Sequence, residues 1–190
     1  MMEGWTLPTG TVIGGKYYSI HGDFRDILEI FSYFSDPELP PYLSWQIALA
    51  LFYDEPIPQA HQLEAMNYLF YFINGGHQET GNTGAKLIDW QQDRDMIAAD
   101  VNRAAGQEIR ALPFLHWWTF LSWFHAIGEG QLSTVVGIRS KLAQGKKLEG
   151  WEKEFYRTHK KTVDIPKRYT RQEMEDRQRL EQLLWKKEGR

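Results

Sequence analysis

The segment that most constrains the fold is a run of fifteen mostly aromatic and aliphatic residues, LPFLHWWTFLSWFHA, at positions 112–126. It contains three of the eight tryptophans and three of the ten phenylalanines of the chain. Its four polar residues are spaced three apart, so on a helix they drift around the axis and form no single polar face. A helix that is apolar nearly all round is buried, and this one is shorter than the ~20 residues that a bilayer requires. The sequence therefore predicts a mainly α domain around a central Trp-rich helix at about residues 113–127.

An N-terminal β-hairpin is predicted over residues 11–20, because two β-prone runs flank Gly14 and Gly15. In the rest of the chain, the spacing of apolar residues predicts helices, and Asp23 is suited to cap the first of them. The predicted helices run from Phe24 to near Asp36, from Leu43 to Phe52, from Gln59 to about Ile73, from about Leu87 to near Gly106, from Gln131 to Ala143 with an interruption at Gly137, and from Glu149 to Lys160.

Pro166 divides the chain into a predicted helical domain, residues 1–165, which includes the hairpin, and a charged helical C-terminal appendage, residues 166–190. The appendage has few apolar side chains, and these follow no heptad repeat. They are too sparse for a core helix. We therefore expect the appendage to dock its last turns on a partner.

The two halves of the chain carry opposite charge. Residues 1–100 contain 4 basic and 14 acidic residues, whereas residues 101–190 contain 18 basic and 11 acidic residues. This asymmetry suggests binding to nucleic acid, binding to an acidic partner, or head-to-tail self-association, and we predict a homo-oligomer. Acidic side chains are interleaved with the basic ones after Arg139, which disfavours nucleic acid. A nucleic-acid-binding accessory protein that uses this basic C-terminal region is the alternative function.

No motif for catalysis or cofactor binding is visible. There is no cysteine, no P-loop and no Gly-x-Ser-x-Gly sequence, and the six histidines lack the spacing of metal ligands. The acidic residues Asp89, Asp93, Asp95 and Asp100 favour a structural role near a helix start. The sequence thus predicts a protein that is not an enzyme and uses no cofactor or metal. Without a visible secretory signal or membrane-spanning stretch, we expect it in the cytosol, with no membrane partner.

Four segments together resemble one protein family, over roughly residues 11–160. They are Asp23-Phe24-Arg25, Asp89-Trp90-x-x-Asp93-x-Asp95-x-Ile97, Leu115-His116-Trp117-Trp118-x-Phe120 and Gly137-Ile138-Arg139. The chain resembles the bacteriophage gene-product-fifteen family of siphophages and prophages, which is similar to tail assembly chaperones. The resemblance implies a non-catalytic helper in the host bacterial cytoplasm that coats the tape measure protein and keeps it soluble until tube subunits polymerise around it. The implied partners are the tape measure protein and, second, the tail tube protein.

Residues that could contact such a partner are large aromatic or aliphatic anchors and exposed basic groups. The candidates are Trp117, Trp118, Trp123, Trp151, Leu180, Leu184, Trp185, Lys146 and Lys147. Because the central helix should be buried, we expect at most one of its three tryptophans to be exposed.

Overall fold

A computed structural model describes residues 5–77, 84–176 and 178–179 of the chain. It is mainly helical with an N-terminal two-stranded antiparallel hairpin, as the sequence predicts. The elements are β1 Gly10–Ile13, β2 Lys16–Ser19, α1 Phe24–Phe34, α2 Pro41–Phe52, a 3₁₀ turn Gln59–His61, α3 Gln62–Ile73, α4 Arg94–Ala105, a 3₁₀ turn Ile109–Ala111, α5 Trp117–His125, α6 Gln131–Ala143, α7 Gly150–Thr158 and α8 Lys160–Val163. Residues 171–176 and 178–179 are also helical.

The hairpin forms where it was predicted because its two-residue turn suits glycine. Gly14 and Gly15 have φ angles of 56° and 80°. A two-residue turn whose central residues both have positive φ matches the twist of the antiparallel strands that it joins. The inner face carries the buried side chains of Ile13 and Tyr18, and the hydroxyl of Tyr68 on α3 donates to the carbonyl of Gly10 at 3.3 Å. The hairpin is thereby fixed against α3.

The central helix α5 begins at Trp117, four residues later than the predicted start near residue 113. The preceding residues are extended because they pair with the chain just before α1. Phe24 N–H donates to the Leu115 carbonyl at 2.9 Å, and Trp117 N–H donates to the Gly22 carbonyl at 2.8 Å. The N-termini of α1 and α5 are therefore held side by side.

Asp23 and Arg25 reinforce this junction. The Asp23 carboxylate accepts from Arg25 N–H and from Leu115 N–H, both at 2.9 Å, so it caps α1 and binds the entry to α5. The Arg25 guanidinium donates to the Leu112 carbonyl at 2.6 Å. Phe24 between them is buried and stacks on Phe120 with ring centroids 5.0 Å apart.

The helix predicted from about Leu87 begins at Arg94, because the residues before it form a turn held by two carboxylates. Asp89 accepts from the N–H groups of Gln91 and Gln92 at 3.1 and 3.0 Å, and Asp93 accepts from Asp89 N–H at 2.9 Å. The helix ends at Gly106, in the left-handed conformation, as predicted.

The bounds of α6 agree with the prediction, but Gly137 does not interrupt the helix. The helix predicted from Glu149 to Lys160 is divided at His159 into α7 and α8.

Arg139 on α6 joins three parts of the fold through a buried ion pair. Its guanidinium binds both carboxylate oxygens of Asp93 at 2.6 and 2.9 Å, and the two side chains are 5% and 0% exposed. It also donates to the carbonyls of Leu87, Thr162 and Val163, at 2.6 to 2.9 Å. Every N–H donor of the guanidinium thus has an acceptor. The pair ties α6 to the turn before α4 and to α8.

The chain after α8 returns to the first half of the molecule. Arg168 binds both carboxylate oxygens of Asp89 at 3.0 Å and the Ser35 carbonyl at 3.4 Å, and Arg171 N–H donates to Glu38. Burial alone would raise the pKa of Asp89, but hydrogen bonds from Lys86 and the backbone and the charge of Arg168 lower this pKa to about 2. Residues 166–171 therefore contact the body of the protein. The division at Pro166 stays a prediction.

Candidate partner-binding groove

The two adjacent tryptophans of α5 cap the end of α3. The indole N–H of Trp117 donates to the Ile73 carbonyl and that of Trp118 to the Phe72 carbonyl, both at 2.8 Å. Carbonyls at a helix C-terminus have no i+4 donor within the helix, so the Trp117 bond supplies a donor to Ile73, whereas the Phe72 carbonyl also accepts from Gly75 N–H at 3.0 Å. Trp117 is 1% exposed, whereas Trp118 and Trp123 are half-buried, so none of the three is fully exposed. Because almost none of the Trp117 side chain is exposed, it offers a partner almost no area to contact in this structure.

His116 is the N-cap of α5 and has a defined tautomer. Its Nδ1 accepts from Trp118 N–H at 3.1 Å, so Nε2 carries the proton and donates to the Pro8 carbonyl at 3.1 Å. Burial of the ring lowers the pKa of His116, although the bond to Pro8 opposes this effect. The imidazole is thus a neutral structural link between the N-terminal segment and α5.

We expect His116→Ala to lower the free energy of unfolding by about 1–2 kcal/mol, the usual cost of losing an N-cap acceptor. His116→Asn supplies a cap acceptor and is the matched control, which should lose less. Because the folded protein binds the proton less readily than the unfolded chain, His116 stabilises fully above about pH 6.5 and less as the pH falls below it. Urea unfolding at pH 7.5 and 5.5 should show a smaller pH effect in His116→Asn than in wild type. An equal pH effect would contradict a buried neutral His116.

Beside α5 lies an open apolar cavity of about 320 Å³, which we call the aromatic groove. Its volume is at the lower end of the roughly 300–1,000 Å³ typical of binding sites. The buried side chains of Trp117 and Ile73 lie at its floor, and most of its walls are partly exposed aromatic rings. The lining residues are Phe31 and Phe34 of α1, Phe70, Ile73 and Asn74 at the end of α3, Trp90, and Trp117, Leu121, Phe124 and His125 of α5.

Ring contacts fix the shape of the aromatic groove. Phe31 stacks on Trp90 with centroids 5.6 Å apart, and Phe34 stacks on Phe70 at 6.2 Å. Trp45 of α2 meets Phe70 edge-on at 6.3 Å and is 41% exposed, which extends the apolar surface beyond the groove. An apolar groove between helices, walled by rigid rings, is the kind of surface that binds the apolar face of an amphipathic helix.

The segment that supplies Phe31, Phe34, Phe70 and Ile73 to the groove is acidic in composition. Residues 24–73, which span α1 to α3, contain one basic and seven acidic residues. Charges at the rim of an apolar site select partners of opposite sign and speed their encounter. The groove therefore suits an apolar segment flanked by basic residues.

The other candidate residues lie outside the aromatic groove. Trp151 on α7 is 58% exposed, and Lys146 and Lys147 are exposed in the turn between α6 and α7. Trp123 does not line the groove, and Trp118 faces Tyr71 and Phe72. Leu180, Leu184 and Trp185 lie outside the described residues, so their role stays a prediction.

The basic residues that the nucleic-acid alternative invokes are partly engaged inside the protein. Arg139 is buried against Asp93 and Arg168 binds Asp89. An open cleft of about 860 Å³ is lined by Arg157, Lys160 and Lys161 among others, but Arg157 pairs with Glu154 on the same helix. These contacts leave a weaker basic surface than the sequence suggests.

Most walls of the aromatic groove were missed by sequence reasoning. These walls come from three helices, and the sequence around each of them is typical of an ordinary core position. They are Phe31, Phe34, Phe70, Leu121 and Phe124. The sequence signal that bears on the groove is the aromatic content, 14% of the chain, because a surplus of large apolar side chains favours an exposed apolar patch.

Two further observations bear on the functional classes. Within the described residues, no group of three or more His, Asp or Glu side chains is placed to hold a metal ion. None of the helices in the described part of the chain is long and apolar enough to cross a membrane.

Comparison with known proteins identifies a family. No curated protein and no solved structure matches the chain. A family model described as "Bacteriophage Gp15 protein" matches residues 6–165, which include the hairpin, all eight helices from α1 to α8 and the aromatic groove. The chain is therefore a bacteriophage protein that belongs to the Gp15 family.

Proposed function

We propose that this phage protein is a non-catalytic tail assembly chaperone that binds the tape measure protein and keeps it soluble during siphophage tail assembly. The observation that carries the proposal is the aromatic groove, in a chain of a phage protein family. Tape measure proteins are long, helical and apolar in places. Such a client needs a partner with apolar surfaces that accept helices.

The chemistry of the aromatic groove fits this client. Partly exposed rings such as Phe34 and Phe124 can cover apolar side chains of a helix with little loss of their own freedom. The acidic residues of α1 to α3 favour client segments that carry basic residues. In this proposal the chaperone acts in the host bacterial cytoplasm, and the tail tube protein is a second partner that displaces it as the tube forms.

The proposal is tested by co-expressing the protein with the tape measure protein of the same phage or prophage. We expect a larger soluble fraction of the tape measure protein and co-purification of the two chains. If the soluble fraction does not change and the two chains do not co-purify, the chaperone proposal is wrong.

The position of the client site is tested by Phe34→Gln, with Phe114→Gln as the matched control. Phe34 lines the aromatic groove, whereas Phe114 is 58% exposed and lies outside it. We expect Phe34→Gln to raise the dissociation constant for tape measure protein by about thirtyfold, since a central anchor contributes about 2 kcal/mol. Phe114→Gln should bind as wild type. Circular dichroism melting curves check that both variants fold, and equal capture by both would place the client site elsewhere.

A further inference from the structure

The C-terminal segment leaves the body of the protein at the edge of the aromatic groove. Arg168 is held by Ser35 and Asp89, which are the direct neighbours in sequence of two groove walls, Phe34 and Trp90. Arg171 N–H is bound by Glu38, close to the same end of α1. The residues that follow thus start from a fixed point beside the groove.

The first turns of the C-terminal helix do not lie on their own body. All of residues 171–176 are exposed, and Met174, the apolar residue among them, is 51% exposed. These described residues therefore face solvent, where a neighbouring molecule can meet them.

The sequence of the last fourteen residues complements the aromatic groove. Residues 177–190 contain five basic and two acidic residues, against one basic and seven acidic in residues 24–73. Leu180, Leu183, Leu184 and Trp185 bring four large apolar side chains into six positions. An apolar cluster with basic residues on both sides complements an apolar groove in a body whose α1 to α3 segment is acidic in composition.

We propose that the C-terminal segment of one copy inserts its Leu180–Trp185 cluster into the aromatic groove of a second copy. The contact is head-to-tail, so repeated use generates a closed ring or an open chain of copies. This inference goes beyond the proposed function, because it states what covers the groove when no tape measure protein is present. A client that binds the groove then competes with the neighbouring copy.

The cysteine-free chain allows a direct crosslinking test with the full-length protein. One preparation carries His125→Cys at the exposed edge of the groove, and a second carries Lys186→Cys next to Trp185. When the two preparations are mixed and mildly oxidised, they should form a disulfide-linked heterodimer. The control mixture combines Lys186→Cys with Lys153→Cys, whose cysteine lies at an exposed position of α7 outside the groove, and it should give clearly less heterodimer. No excess over the control would overturn the proposal. A double variant carries both His125→Cys and Lys186→Cys. If its two cysteines formed an intramolecular disulfide at high dilution, the proposal would also be overturned, because the tail would then cover the groove of its own chain.

A second measurement tests the anchor and needs no client. Trp185→Ser should raise the dissociation constant of self-association about tenfold or more, as the loss of a buried aromatic anchor does. Trp151→Ser, which removes an exposed tryptophan outside the groove, should leave it unchanged. Light scattering across a concentration series reports the average mass of each variant. Equal average masses for Trp185→Ser and wild type would refute the tail contact. This measurement is independent of the proposed function, because it would stand even if the protein did not bind tape measure protein.

Discussion

Arg139→Met is expected to lower the free energy of unfolding by about 3–5 kcal/mol, the usual cost of removing one partner of a buried ion pair. The variant leaves the Asp93 carboxylate fully buried without its cation. It also deprives three carbonyls, of Leu87, Thr162 and Val163, of their donor. Small domains are stable by only about 5–15 kcal/mol, so the variant should be marginally folded. Urea unfolding followed by circular dichroism measures the loss.

Two controls distinguish the effect of breaking a buried ion pair from the effect of removing any one charge. Arg157→Met breaks an exposed ion pair with Glu154, whose side chains are 72% and 62% exposed, and should leave the unfolding transition almost unchanged. Adding Asp93→Asn to Arg139→Met removes the unpaired charge and should recover part of the loss. If Arg139→Met and Arg157→Met were equally stable, the buried pair would not organise the fold.

Trp117→Ala is expected to cost about 3–5 kcal/mol, as large-to-small substitutions of buried aromatic residues do. The ring stacks on Phe120 at 5.2 Å, and Phe31 and Trp90 meet it at 5.9 Å each. Its removal leaves a cavity between α1, α5 and the turn before α4, and takes the donor from the Ile73 carbonyl. The midpoint of urea unfolding should fall accordingly.

Trp117→Phe and Trp5→Ala are the matched controls. Phenylalanine keeps most of the apolar ring but cannot donate to Ile73, so the loss should be about 1–3 kcal/mol. Trp5 is 87% exposed, so its removal should change the stability by less than about 0.5 kcal/mol. A Trp117→Ala variant as stable as Trp5→Ala would show that Trp117 is not the central packing residue.

Elements whose signals are local could be predicted from the sequence. Gly14 and Gly15 specify the hairpin turn, Asp23 caps α1, and Gly106 ends α4. In each case, a residue needs only its near neighbours to act, so a short window of sequence contains the information.

The start of α5 was misplaced because its cause is distant in sequence. Residues before Trp117 are extended since they bond to Gly22 and Phe24, more than ninety positions away. The Arg139–Asp93 pair likewise joins residues 46 positions apart, so Arg139 appeared in the sequence to be one more basic surface residue. The aromatic groove has the same character, because Phe34, Trp90 and Leu121 meet only in the folded chain.

The residues by which the chain resembled its family lie mostly in the interior and bind one another. Asp23 accepts a hydrogen bond from Leu115 N–H just before α5, and Asp93 pairs with Arg139. His116 is the N-cap of α5, the helix that begins with the buried Trp117. The family-defining residues and the groove walls therefore overlap only in part, since Trp90 and Trp117 belong to both sets. A stable frame is built from the recognisable residues, while groove walls such as Phe34 and Leu121 lie outside that set. Under the proposed function, exchanging those walls for other apolar side chains should change which client the protein binds, while the residues of the frame stay the same.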